Sequence, residues 1–309
     1  MNLVIVESPS KAKTINKYLG NNFKVVASMG HVRDLLAKEE AVDTNNNYEM
    51  KWEISDKGNK VIKDIKNLAK NADYLYLAPD PDREGEAISW HLEKILRMDN
   101  KLENLNIKRI TFNEITKEAV LKSLESPRDL DQNLIDSYMA RRVLDFLVGF
   151  NLSPVLWRKL PGSKSAGRVQ SVALRLIVER EIEIEKFNAD EYWSISGNFS
   201  NLNKESFNAK LFQFNNKKLE KLDIKNEEQA KDIFNEINKK EYSIDEIETK
   251  EVKRNPYPPF STSTLQQDAS SKLGFNANQT MRTAQRLYEG IEIDGDTVGL
   301  ITYMRTDSI

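Results

Sequence analysis

The stretch YLYLAPDPDREGE (74–86) joins a short run of apolar and aromatic residues directly to a dense group of charges. The run YLYL (74–77) is typical of a buried strand, whereas the residues from Glu84 onward favour an amphipathic helix. A strand that leads into a helix through a charged loop indicates an α/β sheet, in which ligands bind beyond the carboxyl ends of the strands. A solvated acidic loop is the alternative interpretation of the same charges.

The same alternation of strand and helix runs through the first 115 residues. Strands are predicted at 3–6, 23–28, 74–77 and 107–112, and helices at 10–19, 57–70 and 84–96. Strands that alternate with helices of this length predict a parallel sheet covered by helices on both sides. The polar, non-periodic residues 36–56 are predicted to form an excursion from this sheet.

The pattern becomes helical from about Asp131 to Glu185. Two interruptions are predicted, at NLSP (151–154) and at the basic, glycine-containing stretch LPGSKSAG (160–167). The sequence therefore predicts a helical region with a small basic turn inside it.

Residues 192–250 contain strand-like runs such as WSISGNF, NAKLFQF and YSIDEIE, together with one charged helix at about 226–240. This mixture predicts a smaller domain rich in β-structure. A proline-rich connector follows at 254–260, and helices are predicted at 262–273 and 277–289.

The composition indicates a folded protein and excludes several classes. Of the 309 residues, 39% are hydrophobic and 30% charged, which is typical of a globular protein. The 48 acidic and 46 basic residues nearly cancel, so a nucleic-acid surface would require local separation of charge. The absence of Cys excludes disulfides and Cys-type zinc sites in this chain. No apolar run approaches the ~20 residues of a membrane span, and the first residues lack the pattern of a signal peptide, so we expect a cytoplasmic protein.

Acidic residues follow two of the predicted strands. Glu7 ends the first strand in VIVESPSKAK (4–13), and Asp80, Asp82 and Glu84 follow the third. If these strands are neighbours, four carboxylates converge at one rim and raise each other's pKa unless a cation neutralises them. Mg²⁺ prefers oxygen ligands and needs only one or two carboxylates, so the sequence predicts a magnesium site suited to phosphate chemistry.

Basic and polar residues follow the same strand ends. Lys11 lies one turn beyond Glu7, at a helix start whose free N–H groups attract anions. His31 follows the second strand and is predicted to face the rim. A solvated lysine and a structural histidine are the alternatives, and His91, inside a helix, is interpreted as structural.

A second group of charges lies in the helical region. Arg141, Arg142 and Asp145 fall within about one helical turn. They form either a simple ion pair along the helix or an arginine fork, which Asp145 orients and which binds DNA phosphates. In SAGRVQS (165–171), small residues and a base open a helix, so a sugar-phosphate chain could approach closely. Phe150 and Trp157 flank these two segments and either stack on unpaired bases or pack in a core.

The segment GLITYMRTDS (299–308) contains a candidate nucleophile. A tyrosine hydroxyl is a poor nucleophile at its usual pKa of about 10, but neighbouring groups can stabilise the phenolate. Arg305 would lie on the same side as Tyr303 in an extended segment and would bind phosphate oxygens. The chain has ten tyrosines, so spacing alone does not select Tyr303.

Eight segments resemble, in order along the chain, the type IA DNA topoisomerases, and the bacterial topoisomerase I branch in particular. They are VIVESPSKAKTI (4–15), ASMGHVRDL (27–35), LAPDPDREGEAISWHL (77–92), RITFNEIT (109–116), ARRVLDFLVGF (140–150), SKSAGRVQSVALRLIVERE (163–181), PYPPFSTSTLQQ (256–267) and GLITYMRTDS (299–308). Together they extend through the whole chain.

The resemblance implies a domain order. Residues 1–115 would form a Toprim domain, which is an α/β domain with a parallel sheet and helices on both sides. Mainly helical and smaller β-containing parts of the type IA body would follow. They would be the first part of a helical DNA-binding domain at 128–190, the first part of an arch at 191–255 and the start of the catalytic-tyrosine domain at 256–309.

The resemblance also implies ATP-independent relaxation of negatively supercoiled DNA. In that family a tyrosine attacks one strand, forms a 5′-phosphotyrosine bond and frees a 3′ hydroxyl; the other strand passes and the break is resealed. Tyr303 matches this nucleophile, and Arg305 matches the residue that holds the scissile phosphate. Glu7, assisted by Lys11, would transfer a proton to the leaving 3′ oxygen.

Further site residues are carried over in the same way. Mg²⁺ is the implied cofactor; Glu7, Asp80 and Asp82 match its ligands, and Glu84 completes the acidic set. Positions that contact the single strand are matched by His31, Arg141, Arg142, Asp145, Phe150, Trp157, Ser165, Ala166, Gly167, Arg168, Val169, Gln170 and Arg305.

Two departures from the family pattern stand out. Phe146 and Phe150 stand where some members carry Arg and Tyr near the base upstream of the cut, which puts the usual cytosine preference in doubt. The family also continues beyond the last residue, so we expect this chain to fold its Toprim domain without relaxing DNA on its own. The implied partners are single-stranded and negatively supercoiled DNA, and we expect a cytoplasmic, nucleoid-associated monomer.

Two other classes share some of these features. A Toprim-type primase or nuclease would have the acidic rim and Mg²⁺ but no need for Tyr303. A non-catalytic module that binds single-stranded DNA would tolerate the loss of Asp80 and Asp82.

Overall fold

The computed structural model describes residues 1–306 and divides into two compact units. The first unit contains residues 1–170 and the segment from Tyr257 onward, and the second contains Ser171–Pro256. Among the described residues, no helix combines the length and the apolar character that crossing a membrane requires.

The first unit is built on short strands and the helices between them. Up to residue 130 its elements are β1 (Asn2–Val6), α1 (Pro9–Tyr18), β2 (Phe23–Ala27), β3 (Arg33–Leu35), β4 (Val42–Asp43), β5 (Glu49–Met50), β6 (Trp52–Ile54), α2 (Asp56–Ala69), β7 (Tyr74–Leu77), α3 (Arg83–Arg97), β8 (Asn106–Arg109) and α4 (Lys117–Glu125).

Four of the strands form one parallel sheet in the order β2-β1-β7-β8. Strand β1 pairs directly with β7, with Ile5 opposite Leu77. The predicted α/β class with a parallel sheet is thus confirmed. Because both strands run the same way, the residues after Val6 and after Leu77 come out at the same edge.

Alternate residues of β1 face two different cores. Leu3 and Ile5 pack with α2 and α3, whereas Val4 and Val6 pack with α1 on the opposite face. Helices therefore cover both faces of the sheet, which positions its carboxyl edge as the open side. Residues 33–54 leave the sheet and form two small antiparallel ladders, β3 with β6 and β4 with β5.

One long helix, α5 (Gln132–Lys159), follows. The predicted interruption at NLSP is wrong, because α5 continues through Pro154. A proline removes a single backbone donor, and polar side chains add bonds nearby: Asn151 donates to the carbonyl of Leu147 and Arg158 to that of Pro154. The second predicted interruption is present between α5 and α6 (Arg168–Glu185), and α6 extends into the second unit.

The second unit contains short antiparallel pairs and one helix. They are β9 (Ser196–Ser200) with β10 (Ser206–Lys210), β11 (Gln213–Phe214) with β12 (Lys217–Lys218), and α7 (Glu227–Ile237). The strand suggested by YSIDEIE (242–248) is not formed, since these residues pair with no strand of the described chain.

The last segment returns to the first unit as α8 (Thr262–Leu273), α9 (Ala277–Glu289) and a hairpin of β13 (Ile291–Ile293) and β14 (Asp296–Val298). Both helices have the predicted bounds. Tyr288 of α9 and Met304 join the core beneath Val4 and Val6. This packing brings residue 303 to the carboxyl edge of the sheet.

Candidate active site

The loops after β1 and β7 meet around one buried lysine. Lys11 Nζ lies 3.1 Å from Glu7 Oε1 and 2.9 Å from Asp80 Oδ1. The lysine side chain is fully buried, while both carboxylates are mostly buried. Lys11 therefore pairs with both of the acids that the parallel sheet brings together.

Burial changes the proton affinity of Glu7. Withdrawal from water raises its pKa to about 7, the charge of Lys11 opposes this rise, and the charge of Asp80 adds to it. Glu7 is therefore close to half protonated at neutral pH, which suits a group that gives and takes a proton.

Asp82 connects the helix start to the candidate nucleophile. One carboxylate oxygen caps α3 by accepting from the backbone N–H of Gly85 at 2.8 Å, and the other accepts from the hydroxyl of Tyr303 at 2.6 Å. A Cβ on Gly85 would lie 2.0 Å from the carbonyl oxygen of Asp80, so only glycine fits there. The tight backbone turn of this loop thus orients the carboxylate of Asp82 toward Tyr303.

Tyr303 is fixed from several sides. Its backbone N–H donates to the carbonyl of Asn113 at 2.7 Å, and its ring packs edge-on against Tyr288 with centroids 5.2 Å apart. Burial, and then the charges of Asp80 and Asp82, raise the pKa of Tyr303 above its usual value. The hydroxyl is accordingly neutral and donates its proton toward Asp82.

Arg305 lies beside the same acids, as expected for an extended segment. Its Nη1 is 2.9 Å from Glu84 Oε2 and 3.5 Å from Asp82 Oδ2. Glu7, Asp80, Asp82, Glu84, Tyr303 and Arg305 all line one cavity of about 360 Å³. The structure thus brings every predicted catalytic and metal-binding residue to this cavity or, for Lys11, directly behind it.

The four acids fit a hard cation only with water as additional ligand. Within residues 1–306, no three acidic or histidine side chains lie close enough to hold an ion together. Mg²⁺ usually keeps several waters and binds through one or two carboxylates, so the oxygen donors lining the cavity suit it. The predicted convergence is therefore a set of ion-paired acids around a cavity and not a preformed metal cage.

A second group of charges lies on α5. Asp145 is bound by Arg168 at 2.8 Å and by Arg141 at 3.8 Å. Arg142 instead pairs with Asp34, so the expectation that Asp145 holds both neighbouring arginines is wrong for Arg142. The reason is the excursion 33–54, which carries Asp34 to α5.

His31 lies beside this group. It lines a cavity of about 260 Å³ together with Glu84, Arg141, Arg142 and Asp145. Glu84 also lines the cavity around Tyr303, so the two cavities are neighbours along one surface.

The turn between α5 and α6 is held by side chains. Trp157 Nε1 donates to the carbonyl of Lys164 at 2.6 Å, Ser153 Oγ accepts from the N–H of Ala166 at 3.1 Å, and Gln170 binds Ser165. Phe150 and Trp157 are 44% and 53% exposed, although the ring of Phe150 stacks on that of Phe146 with centroids 4.3 Å apart. Gly167 and Val169 lie in the same turn and helix start.

Comparison with known proteins adds independent evidence. Residues 2–115 match the family model of the Toprim domain, and residues 129–309 match the model of DNA topoisomerase. The chain belongs to the DNA topoisomerase family. This confirms the resemblance that the eight sequence segments carried.

Individual topoisomerases are similar over the whole chain. DNA topoisomerase 1 of Rickettsia felis is 58% identical in an alignment that covers all of this chain and 40% of the relative. DNA topoisomerase 1 of Rickettsia bellii is 56% identical in an alignment that covers all of this chain and 39% of the relative. The structure of full-length topoisomerase I from Thermotoga maritima is also similar, with 40% sequence identity and a TM-score of 0.79. The match covers 99% of this chain and 49% of the Thermotoga chain. The chain spans about two fifths of the length of the curated relatives it matches.

One residue of this topoisomerase chain that the sequence did not single out organises the acidic loop. Arg109, at the end of β8, donates to the carbonyls of Leu77, Pro79, Asp80 and Ile110. Its Nε also binds the fully buried Glu86, which Arg128 contacts through two further bonds. The only signal in the sequence was a charged residue inside the predicted strand 107–112, which in the structure ends at Arg109.

Glu289 was also missed in this topoisomerase chain. This mostly buried carboxylate, the last residue of α9, accepts from the hydroxyl of Ser8 at 2.8 Å and from Gln285 at 3.0 Å. Ser8 also caps α1 by accepting from the N–H of Lys11. Glu289 therefore ties α9 to the loop that carries Glu7.

Proposed function

We propose that this site cuts and reseals one strand of DNA through a covalent bond to Tyr303. The observation that carries the proposal is the Tyr303 hydroxyl, 2.6 Å from the Asp82 carboxylate in a cavity that Glu7 and Arg305 also line. A nucleophile, a proton acceptor, a proton donor and a phosphate-binding cation are then within one site, which is the set that strand transfer requires.

In the cleavage step Tyr303 Oη attacks the phosphorus and forms a new oxygen–phosphorus bond. Because the pKa of Tyr303 is raised, the hydroxyl must lose its proton as it attacks, and Asp82 Oδ2 is the oxygen that accepts it. The guanidinium of Arg305 binds the non-bridging phosphate oxygens as their negative charge grows.

The bond to the 3′ oxygen breaks in the same step. Glu7, whose pKa is near 7, gives its proton to this leaving oxygen, and Lys11 keeps the carboxylate oriented. A 5′-phosphotyrosine and a free 3′ hydroxyl result. Resealing reverses each transfer: the 3′ hydroxyl returns its proton to Glu7, and Tyr303 recovers its own.

Mg²⁺ would be held at the cavity that Glu7, Asp80, Asp82 and Glu84 line, by one or two of these carboxylates directly and by the others through water. When bound, it would supply positive charge to the phosphate and the cleaved ends. The acids themselves orient Tyr303 and Arg305 through the contacts described above.

The strand itself would lie along the charged and aromatic surface that leads from the cavity to α5. The proposed contact residues are His31, Arg141, Arg142, Asp145, Phe150, Trp157, Ser165, Ala166, Gly167, Arg168, Val169, Gln170 and Arg305. Arginines paired to acids present guanidinium edges to phosphates, while exposed rings stack on bases. In the whole protein this site would relax negatively supercoiled DNA without ATP, as a cytoplasmic, nucleoid-associated monomer.

Covalent trapping tests the chemistry. A single-stranded oligonucleotide labelled at its 3′ end is incubated with the chain and Mg²⁺, denatured, and separated by size. The label should migrate with the protein, and Tyr303→Phe, which removes only the hydroxyl, should abolish the adduct. An adduct that persists in Tyr303→Phe, or cleavage without any adduct, would favour a nuclease and overturn the proposal.

Calorimetric titration with Mg²⁺ alone tests the metal site. The unaltered chain should bind the ion, and Asp80→Asn combined with Asp82→Asn should abolish binding. Asp129→Asn, at an exposed acid outside the cavity, is the matched control. Equal binding by the double variant and this control would contradict the metal assignment.

A further inference from the structure

His91 is a fully buried histidine that the proposed mechanism does not use. It lies within α3, whose first residues follow Asp82. Aromatic rings surround it, with centroids 4.6 Å away for Trp52 and 4.8 Å for Trp90. A histidine in such a place either fills space or fixes its neighbours.

A hydrogen bond fixes the orientation of the His91 ring. The Nε–H of Arg33 donates to Nδ1 of His91, and the Arg33 guanidinium lies over the rings of Trp90 and Trp52. Burial, and then the charge of Arg33, lower the pKa of His91 to about 2. The imidazole is therefore neutral, and because Nδ1 accepts, the hydrogen is on Nε2. One tautomer in one orientation follows.

The fixed ring supports two residues of the neighbouring cavity. His31 and Tyr138 stack with their centroids 5.6 Å apart and their planes at 19°. His91 meets both rings edge-on, at 6.3 Å and at angles of 75° and 84°. Edge-to-face contact is a favoured arrangement of aromatic rings, so rotation of His91 would disturb both partners.

The supported pair faces the proposed path of the strand. His31 and Tyr138 line the cavity of about 260 Å³ that also contains Glu84 and Arg142. Helix α3 thus begins beside the acids of the cleavage site and, two turns later, supports the rings of the adjoining cavity.

We infer that His91 is a positioning residue for DNA binding, which acts by holding the His31–Tyr138 stack in the orientation that an unpaired base meets. This inference rests on the proposed function and deepens it. His91 itself touches no substrate. Arg33 orients the ring of His91, and this ring in turn orients the rings of His31 and Tyr138 that line the cavity.

The first test is spectroscopic and needs no DNA. The chain has only two histidines, so ¹⁵N-histidine labelling gives two resolvable imidazoles. His91 should show a protonated Nε2 and an unprotonated Nδ1 in the unaltered protein. In His91→Gln, which retains an acceptor for Arg33 but removes the ring, the signals of His31 should shift and its contact with Tyr138 should weaken. Unchanged His31 signals, or rapid tautomer averaging at His91, would overturn the inference.

The second test is a double-mutant cycle on the affinity for a fluorescent single-stranded oligonucleotide. His91→Gln and His31→Ala should each weaken binding by about 2- to 10-fold, the range expected for aromatic contacts. The two losses should combine to less than their product in the double variant, because His91 acts through the pair to which His31 belongs. Losses that multiply would show a purely structural role and refute the inference.

Tyr138→Leu keeps the test decisive if His91→Gln folds poorly. It leaves the Arg33–His91 pair intact and should reproduce the loss of affinity; unchanged affinity would overturn the inference. The Tyr303 adduct is measured on the same samples. If the adduct forms but the losses of DNA affinity multiply, only the role of His91 is refuted. If the losses do not multiply but no adduct forms, only the proposed cleavage is refuted.

Discussion

The rim around Tyr303 and the face of α5 use charge in opposite ways. At the rim, the fully buried Lys11 lies between two mostly buried carboxylates and pairs with both. On α5, the ion pairs of Arg141 and Arg168 with Asp145 are about one third to one half exposed, so water and salt screen them. Under the proposed function, the cleavage chemistry would take place at a buried, ion-paired site and strand binding on an exposed, hydrated surface.

The largest effect is expected from removing the buried cation. Lys11→Met leaves Glu7 and Asp80 as neighbouring buried carboxylates, which should destabilise the protein by about 3–5 kcal/mol. Urea unfolding measures this change. Lys13→Met, on the exposed side of the same helix, is the matched control and should stay within about 0.5 kcal/mol. Similar losses in both variants would remove the distinction between a rigid rim and an open surface.

The same glycine substitution should have opposite signs in the two regions. Gly85→Ala places a methyl group 2.0 Å from the carbonyl oxygen of Asp80, so the acidic loop must shift, at a cost of about 3 kcal/mol. Apart from the neighbouring backbone of α5 itself, a methyl group at Gly149 would meet nothing within 4 Å, so Gly149→Ala should stabilise the helix by about 0.5–1 kcal/mol. Thermal unfolding of both variants measures the difference. Two stabilising results would mean that the loop is not tightly packed.

The pH dependence of stability sharpens the description of the rim. Because burial raises the pKa of Glu7 from 4.5 to about 7, the folded state retains a proton that the unfolded state releases between these values. This contribution is fully present below pH 4.5 and is lost as the pH rises through 7, by up to about 1.4 kcal/mol per pH unit. Glu7→Gln removes this titrating group. Between pH 4.5 and 7 the free energy of unfolding of the variant should therefore rise by roughly 2 kcal/mol relative to that of the unaltered protein.

Urea unfolding at several pH values follows this gain. Glu125→Gln, which removes a carboxylate at an exposed position of α4, is the control. If the stability curves of Glu7→Gln and the unaltered protein run parallel between the two pKa values, Glu7 is not buried as described.

The smallest change in stability is expected on α5. Arg168→Gln should leave the urea midpoint almost unchanged, because the pair with Asp145 is exposed and screened. It should nevertheless lower the salt dependence of single-strand binding, reducing the slope of log affinity against log salt by about 0.7. Fluorescence anisotropy at several salt concentrations measures the slope, with Lys122→Gln on α4 as control. An unchanged slope would remove Arg168 from the proposed strand surface.

The sequence predicted the parts of the site that depend on strand ends. Glu7 and Asp80 follow apolar runs, and parallel strands place such residues at one edge, so their proximity could be foreseen. Tyr303 could not be selected from ten tyrosines by spacing, and only the resemblance identified it. Its packing against Tyr288 joins segments far apart along the chain, which no local pattern describes.

Long-range partners account for the remaining differences. Arg142 binds Asp34 and not Asp145, because the excursion of the chain brings a distant acid to α5. Arg109 looked like an ordinary charge in RITF, although its guanidinium makes five hydrogen bonds, to four carbonyls and to Glu86. Helix α5 persists through Pro154, since a helix of 28 residues tolerates the loss of one bond.

Because the ammonium of Lys11 is buried between Glu7 and Asp80, we expect the chain to fold without a bound metal ion. Many metal sites acquire their structure only when the ion arrives, because bare carboxylates repel one another. Here a permanent counter-ion from the chain itself occupies the gap between Glu7 and Asp80. A chelator should therefore leave the fold of the chain intact, and the urea midpoint should be the same with and without it.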